Sequence, residues 1–221
     1  MNFSNALARA LLLAAALGAG GARGAEAPNV AVAANLNFAM PEIAAAFKQK
    51  TGREVKLAFG ASGNFSRQIR AGAPFELFLS ADESNVKALA DAGVTVDGGS
   101  VYAIGRLALF APNASAVQVD AALVGLAAAV RTGAAKRVAI ANPELAPYGV
   151  AAREALRRKG LWDALQGRIV FGENVNQTAQ FALAGGIDAA FLPHSIVVAP
   201  SFAGKARAAL LPEALHDPIV Q

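Results

Sequence analysis

The chain has 221 residues, is 55% hydrophobic and contains no cysteine; its 20 Lys and Arg outnumber 16 Asp and Glu, for a formal charge of +4. The missing cysteines exclude disulfides, thiolate metal sites, a cysteine nucleophile and the acylated cysteine of an exported lipoprotein. No Lys/Arg run and no basic–aromatic interleaving appears, so nucleic acid is not an expected partner.

The first stretch, MNFSNALARALLLAAALGAGGARGAEAP, reads as an address rather than as fold. Arg9 supplies positive charge, Ala10 to Gly18 is apolar, and Ala22-Arg23-Gly24 offers the small residues of a signal-peptidase site. The apolar run is shorter than the ~20 residues of a membrane span. Cleavage after Gly24 predicts export to a periplasm. It removes Arg9 and Arg23 and no acid, leaving 18 basic side chains against 16 acidic, a charge of +2. Roughly 197 residues then remain, enough to bury a core in one large domain or two small lobes.

Short apolar runs then alternate with helical periodicity. Val30 to Ala34 predicts a strand, and Leu36, Met40, Ile43 and Phe47 recur at helical spacing up to Thr51-Gly52, with Pro41 forcing an irregular first turn. A strand over 55–59, a helix over 65–71, a strand over 77–80 and a helix capped by Asp82 follow, with Gly93 past its end. VYAIGRLALFA, residues 101–111, reads as one long strand. Beyond it come helix 121–131, strand 137–141, helix 149–159, a short helix 161–165, strand 168–171, helix 176–184 and strands 189–192 and 208–211. This βαβ alternation predicts an α/β fold of mostly parallel sheets, and two such series joined by one long strand suggest two lobes with a cleft between.

Four strand-to-helix junctions share a chemistry: Ala34-Asn35-Leu36, Ala61-Ser62-Gly63, Pro147-Tyr148-Gly149 and Asn174-Val175-Asn176. In parallel sheets ligands collect beyond the carboxyl ends of strands, where helix N-termini present free N–H groups and about half a positive charge. None of these triplets carries a charged side chain. A buried dianion would need about seven charge-assisted hydrogen bonds, at ~1.5–3 kcal/mol each, to offset its lost water. Without a carboxylate to accept a proton, the pattern favours a fully deprotonated tetrahedral anion over phosphate.

VAVAANLNFAMPEIAAAFKQKTG, FGASGNFSRQIRAGAPFELFLSAD, ANPELAPYGVAAREALRRKGLWDAL and the Glu173-Asn174-Val175 segment resemble the periplasmic molybdate-binding proteins of bacterial ABC transporters, in the family's order and spacing from about Asn29 onward. The resemblance implies a type II periplasmic-binding fold, with lobe one over 28–105, lobe two over 106–212 and a return to lobe one over 213–221. It implies a monomer that captures molybdate or tungstate and delivers it to a membrane permease, with no cofactor and no catalysis. The ligand positions it carries over are Ala34, Asn35, Ser62, Tyr148 and Val175, meeting the metal only through its oxygens. Ser62 and Tyr148 would use their hydroxyls, Ala34 and Val175 their backbone N–H groups. Leu192 stands where one branch of the family has a ligand tyrosine. The family's further strand and helix of lobe one are expected to be missing after HDPIVQ.

Two rival readings bear on Ser62. Gly60-Ala61-Ser62-Gly63-Asn64 misses the G-x-S-x-G nucleophile elbow at Asn64, yet Asp188 and His194 follow in the order of a hydrolase triad. A binding site for sulfate or another oxyanion is the nearer alternative. Two lone histidines without spaced carboxylates do not make a metal site.

Overall fold

The computed structural model describes residues 26–221. The signal segment expected over 1–24 lies outside the described residues.

The first lobe is a three-stranded parallel sheet in the order β2-β1-β3, built from β1 (Asn29–Ala33), β2 (Lys56–Gly60) and β3 (Leu77–Leu79). Central β1 is buried from Val30 to Ala33, as an apolar run flanked on both sides requires. A 3₁₀ turn over Ala34–Leu36 separates β1 from helix α1 (Ala39–Thr51), so Pro41 falls in the first turn, where its missing N–H costs nothing. Helix α2 (Ser62–Arg70) starts three residues earlier than its apolar periodicity suggested and follows β2 almost directly. Asp82 caps α3 (Glu83–Asp91), its carboxylate accepting from the Asn85 N–H, and Gly93 takes the left-handed conformation beyond it.

The run expected as one strand over 101–111 is two. β4 (Ile104–Gly105) pairs antiparallel with β10 (Ile219–Val220), and after Arg106 the chain enters the second sheet as β5 (Leu107–Pro112). Apolar patterning sees only hydrophobicity, which runs on through 101–111 although Val101, Tyr102 and Ile104 are exposed and the continuously buried strand begins at Leu107.

The second lobe is a five-stranded sheet ordered β7-β6-β8-β5-β9, from β5, β6 (Val138–Ala141), β7 (Ile169–Gly172), β8 (Ala189–Pro193) and β9 (Ala206–Leu210). β6 pairs parallel with β7 and β8, whereas β5 runs antiparallel to β8 and β9. Helices α4 (Val124–Thr132), α5 (Pro147–Arg158) and α6 (Val175–Ala184) bury their apolar faces on it, and α7 (His194–Val197) follows β8. The core centres on this sheet, with Leu109, Phe110, Ile140, Phe191 and Leu192 sealed from solvent. The short helix expected over 161–165 is a 3₁₀ turn at Asp163–Leu165.

Candidate functional site

Four strands, β1 and β2 in one lobe and β6 and β7 in the other, deliver their carboxyl ends to a single small chamber of about 10 Å³. Ala34, Asn35, Ser62, Tyr148 and Val175 all line it, and no lining residue is charged. Sequence spacing placed these residues at four separate turns; the fold brings the four turns together.

Each helix start contributes in its own way. Ser62 is the first residue of α2, Tyr148 the second of α5 after Pro147, and Val175 the first of α6. Their N–H groups precede the first i→i−4 bond, and among the described residues none finds another acceptor. Ser62 Oγ accepts the Ala81 N–H at 2.9 Å, which occupies an oxygen lone pair and leaves the hydroxyl proton to donate. Ahead of α6, Asn174 Oδ1 accepts from the N–H groups of Asn176 and Gln177, at 2.9 and 3.1 Å. The cap spends itself on those two positions and leaves the Val175 N–H untouched.

Hydrogen bonds cross between the lobes around the chamber. The Gly63 N–H donates to Leu145 O at 2.9 Å, Asn64 Nδ2 to Glu173 Oε1 at 2.7 Å, and the Ser195 hydroxyl to Asn35 O at 2.8 Å. Arg67 in turn donates to Asn64 Oδ1. The lobes therefore meet in a closed arrangement.

One residue at the site was not foreseen. Gln221 is buried between the lobes, where its Oε1 accepts from Asn35 Nδ2 at 3.0 Å and its Nε2 donates to the Tyr148 hydroxyl at 2.8 Å. The Arg106 backbone N–H also faces that hydroxyl. Tyr102 donates its hydroxyl proton to Ser80 O at 2.6 Å and stands 3.4 Å from Gln221 Oε1. Burial pushes the Tyr148 phenol up to about 12, against smaller lowering effects of the hydrogen bonds from Gln221 and Arg106. Burial, and then Tyr148, push the Tyr102 phenol up as well. The sequence signal for Gln221 is slight, because it lies 186 positions from Asn35.

The triad written on Ser62, Asp188 and His194 does not assemble. Asp188 Oδ2 accepts the Lys136 and Arg137 N–H groups at 2.7 and 2.9 Å, just before β8 begins. His194 follows the other end of that five-residue strand, six residues on and about 20 Å away at ~3.3 Å per residue. Asp188 therefore cannot orient the imidazole. Leu192 sits in β8 with no exposure. Among the described residues no cluster of three or more His, Cys, Asp or Glu could hold a metal ion, and no helix is long and apolar enough to cross a membrane.

Comparison with known proteins gives the family. The sequence model of the family described as bacterial extracellular solute-binding protein matches residues 28–221. The molybdate-binding protein ModA of Rhodobacter capsulatus is 39% identical over 194 residues, 86% of this chain and 72% of the relative. ModA of Azotobacter vinelandii is 37% identical over 214 residues, 95% of this chain and 82% of that one. The solved structure of the Azotobacter vinelandii periplasmic molybdate-binding protein superposes with a TM-score of 0.78 at 30% identity, covering 87% of this chain and 82% of the other.

Proposed function

The chain belongs to the bacterial extracellular solute-binding proteins, among their molybdate-binding members, and on that footing we propose that it captures molybdate, with tungstate as a close analogue, and hands it to an ABC transporter permease. The observation that carries this reading is the uncharged chamber into which the unspent N–H groups at Ser62, Tyr148 and Val175 open. A dianion taken from water must recover its hydration from donors already in place, and helix starts provide them without the cost of assembling a counter-charge.

In this reading Ala34, Asn35, Ser62, Tyr148 and Val175 surround the anion and touch its oxygens, never the metal. The lobes divide at Gly105–Arg106, and residues 213–221 return to the first. Phosphate, which carries a proton near neutral pH, finds no carboxylate to receive it among the lining residues. The chain works as an exported monomer in the periplasm and catalyses nothing.

Calorimetric titration with molybdate, tungstate, sulfate and phosphate tests the proposal. Molybdate and tungstate bind tightly and the other two far more weakly. Sulfate competing at comparable concentration overturns it.

A further inference from the structure

The hydrogen-bond accounts of Asn35, Gln221 and Tyr148 do not close in the orientation described above. Asn35 Oδ1 is buried without a partner, although the side chain lines the chamber and the residue is only 4% exposed. The Tyr148 hydroxyl accepts from Gln221, yet its own proton has no acceptor among the described residues. The single Tyr102 proton faces two acceptors, Ser80 O and Gln221 Oε1.

The two ends of a carboxamide are nearly isosteric, so turning the amides of Asn35 and Gln221 by half a turn moves no heavy-atom position. Gln221 Nε2 then donates to Asn35 Oδ1 across the 3.0 Å contact and faces the Tyr102 oxygen at 3.4 Å. Gln221 Oε1 accepts the Tyr148 proton across the 2.8 Å contact, and Tyr102 keeps Ser80 O to itself. The one group left unpaired is Asn35 Nδ2, a donor, at the place where an acceptor would repel an anion.

We propose that Gln221 is a positioning residue that sets the polarity of the site: it commits the Tyr148 hydroxyl to itself and turns the Asn35 amide so that Nδ2 donates to the ligand. This rests on the anion-binding reading of the chamber. A carboxamide donates at one end and accepts at the other without titrating, which is why glutamine suits the position. Gly105 makes the room: a Cβ there would come within 2.5 Å of both Gln221 Nε2 and the Tyr148 hydroxyl oxygen.

Titration with molybdate from pH 5.5 to 8 tests the assignment. Asn35→Ala weakens binding about ten- to a hundred-fold. Gln221→Met, which keeps the bulk and drops the bridge, loses about tenfold at every pH. Gln221→Glu loses more than about a hundredfold at pH 8, because its carboxylate draws the Asn35 donor away from the ligand and adds like charge. As the pH falls, the introduced carboxyl takes up a proton, donates to Asn35 Oδ1 and accepts from Tyr148, and affinity recovers at least about tenfold; a merely structural loss shows no such recovery. A Gln221→Glu protein whose deficit ignores pH overturns this proposal while wild-type binding stands. Failure of the unaltered chain to bind molybdate overturns the functional reading and this one together.

Discussion

The Gly63 N–H and the Leu145 carbonyl oxygen meet at 2.9 Å across the cleft, and a Cβ on residue 63 would stand at the same 2.9 Å from that oxygen. Real Cβ atoms are almost never so close to a backbone oxygen, and neither group can swing aside as a long side chain would. Gly63→Ala therefore props the lobes apart. The expected outcome is a loss of up to about tenfold in molybdate affinity, with a larger radius of gyration for the ligand-loaded protein in small-angle scattering. An unchanged radius and affinity would show that closure tolerates the methyl group.

Ser62→Ala has two effects. It removes a hydroxyl donor to a charged ligand, worth ~1.5–3 kcal/mol or roughly ten- to a hundred-fold in affinity. It also strands the buried Ala81 N–H, at a cost of about 1–3 kcal/mol in stability. Titration and chemical denaturation of the same sample should register both losses. The hydrolase alternative expects ester turnover that this substitution abolishes; with Asp188 and His194 at opposite ends of β8, no turnover above buffer is expected from the parent chain.

At Val175 backbone and side chain can be separated cleanly. It is the first residue of α6, the helical position proline occupies most readily, and Asn174 before it is extended (φ −146°, ψ 177°), as a residue preceding proline should be. Val175→Pro thus deletes the N–H with little strain, while Val175→Ala retains it. The proline variant should bind molybdate at least about tenfold more weakly than the alanine variant at a similar melting temperature. Equal affinities would place the anion away from α6.

Affinity should be flat from about pH 6 to 9. Neither His194 nor His216 lines the chamber, and the one ionisable lining group, the Tyr148 phenol, is pushed up to about 12 by burial and stays neutral throughout. A steep change in that window would reveal an ionisable group coupled to the ligand.

Asp120 predicts an acid-dependent contribution to stability. Burial works to raise its pKa, but the N–H groups of Gly125, Val124 and Ala122 and the charge of Lys159 together bring it below the usual carboxylate value. A group depressed in the folded state stabilises the fold above its unfolded pKa, about 3.9, and loses that contribution as pH falls through the folded value. Asp120→Asn should lower stability near pH 7, with the gap to wild type narrowing as pH falls below about 4 in thermal melts.

How much of this could be read from the sequence follows the range of the interactions. Local chemistry was legible: Pro41 announced the irregular start of α1, Asp82 the cap of α3, and Asn174 the entry to α6. The four junctions were legible because polar and small residues directly after an apolar run have few other uses. The break at Arg106 was not, since Ile104 to Pro112 stays strand-like while the chain changes sheets. Gln221 and the Asn64–Glu173 contact were invisible for another reason: their partners lie 73 or more positions away, and nothing local at either end announces the meeting.

The uncharged lining has an electrical consequence. A site that grips an anion with arginines neutralises it, and added electrolyte weakens that grip. Here dipoles replace water without cancelling charge, so in the proposed function each captured dianion makes the whole particle more negative by two. Short, enclosed hydrogen bonds lie inside the reach of mobile ions, about 8 Å at physiological ionic strength. Capture should then be nearly indifferent to the salinity outside the cell, while loaded and empty protein migrate differently in an electric field.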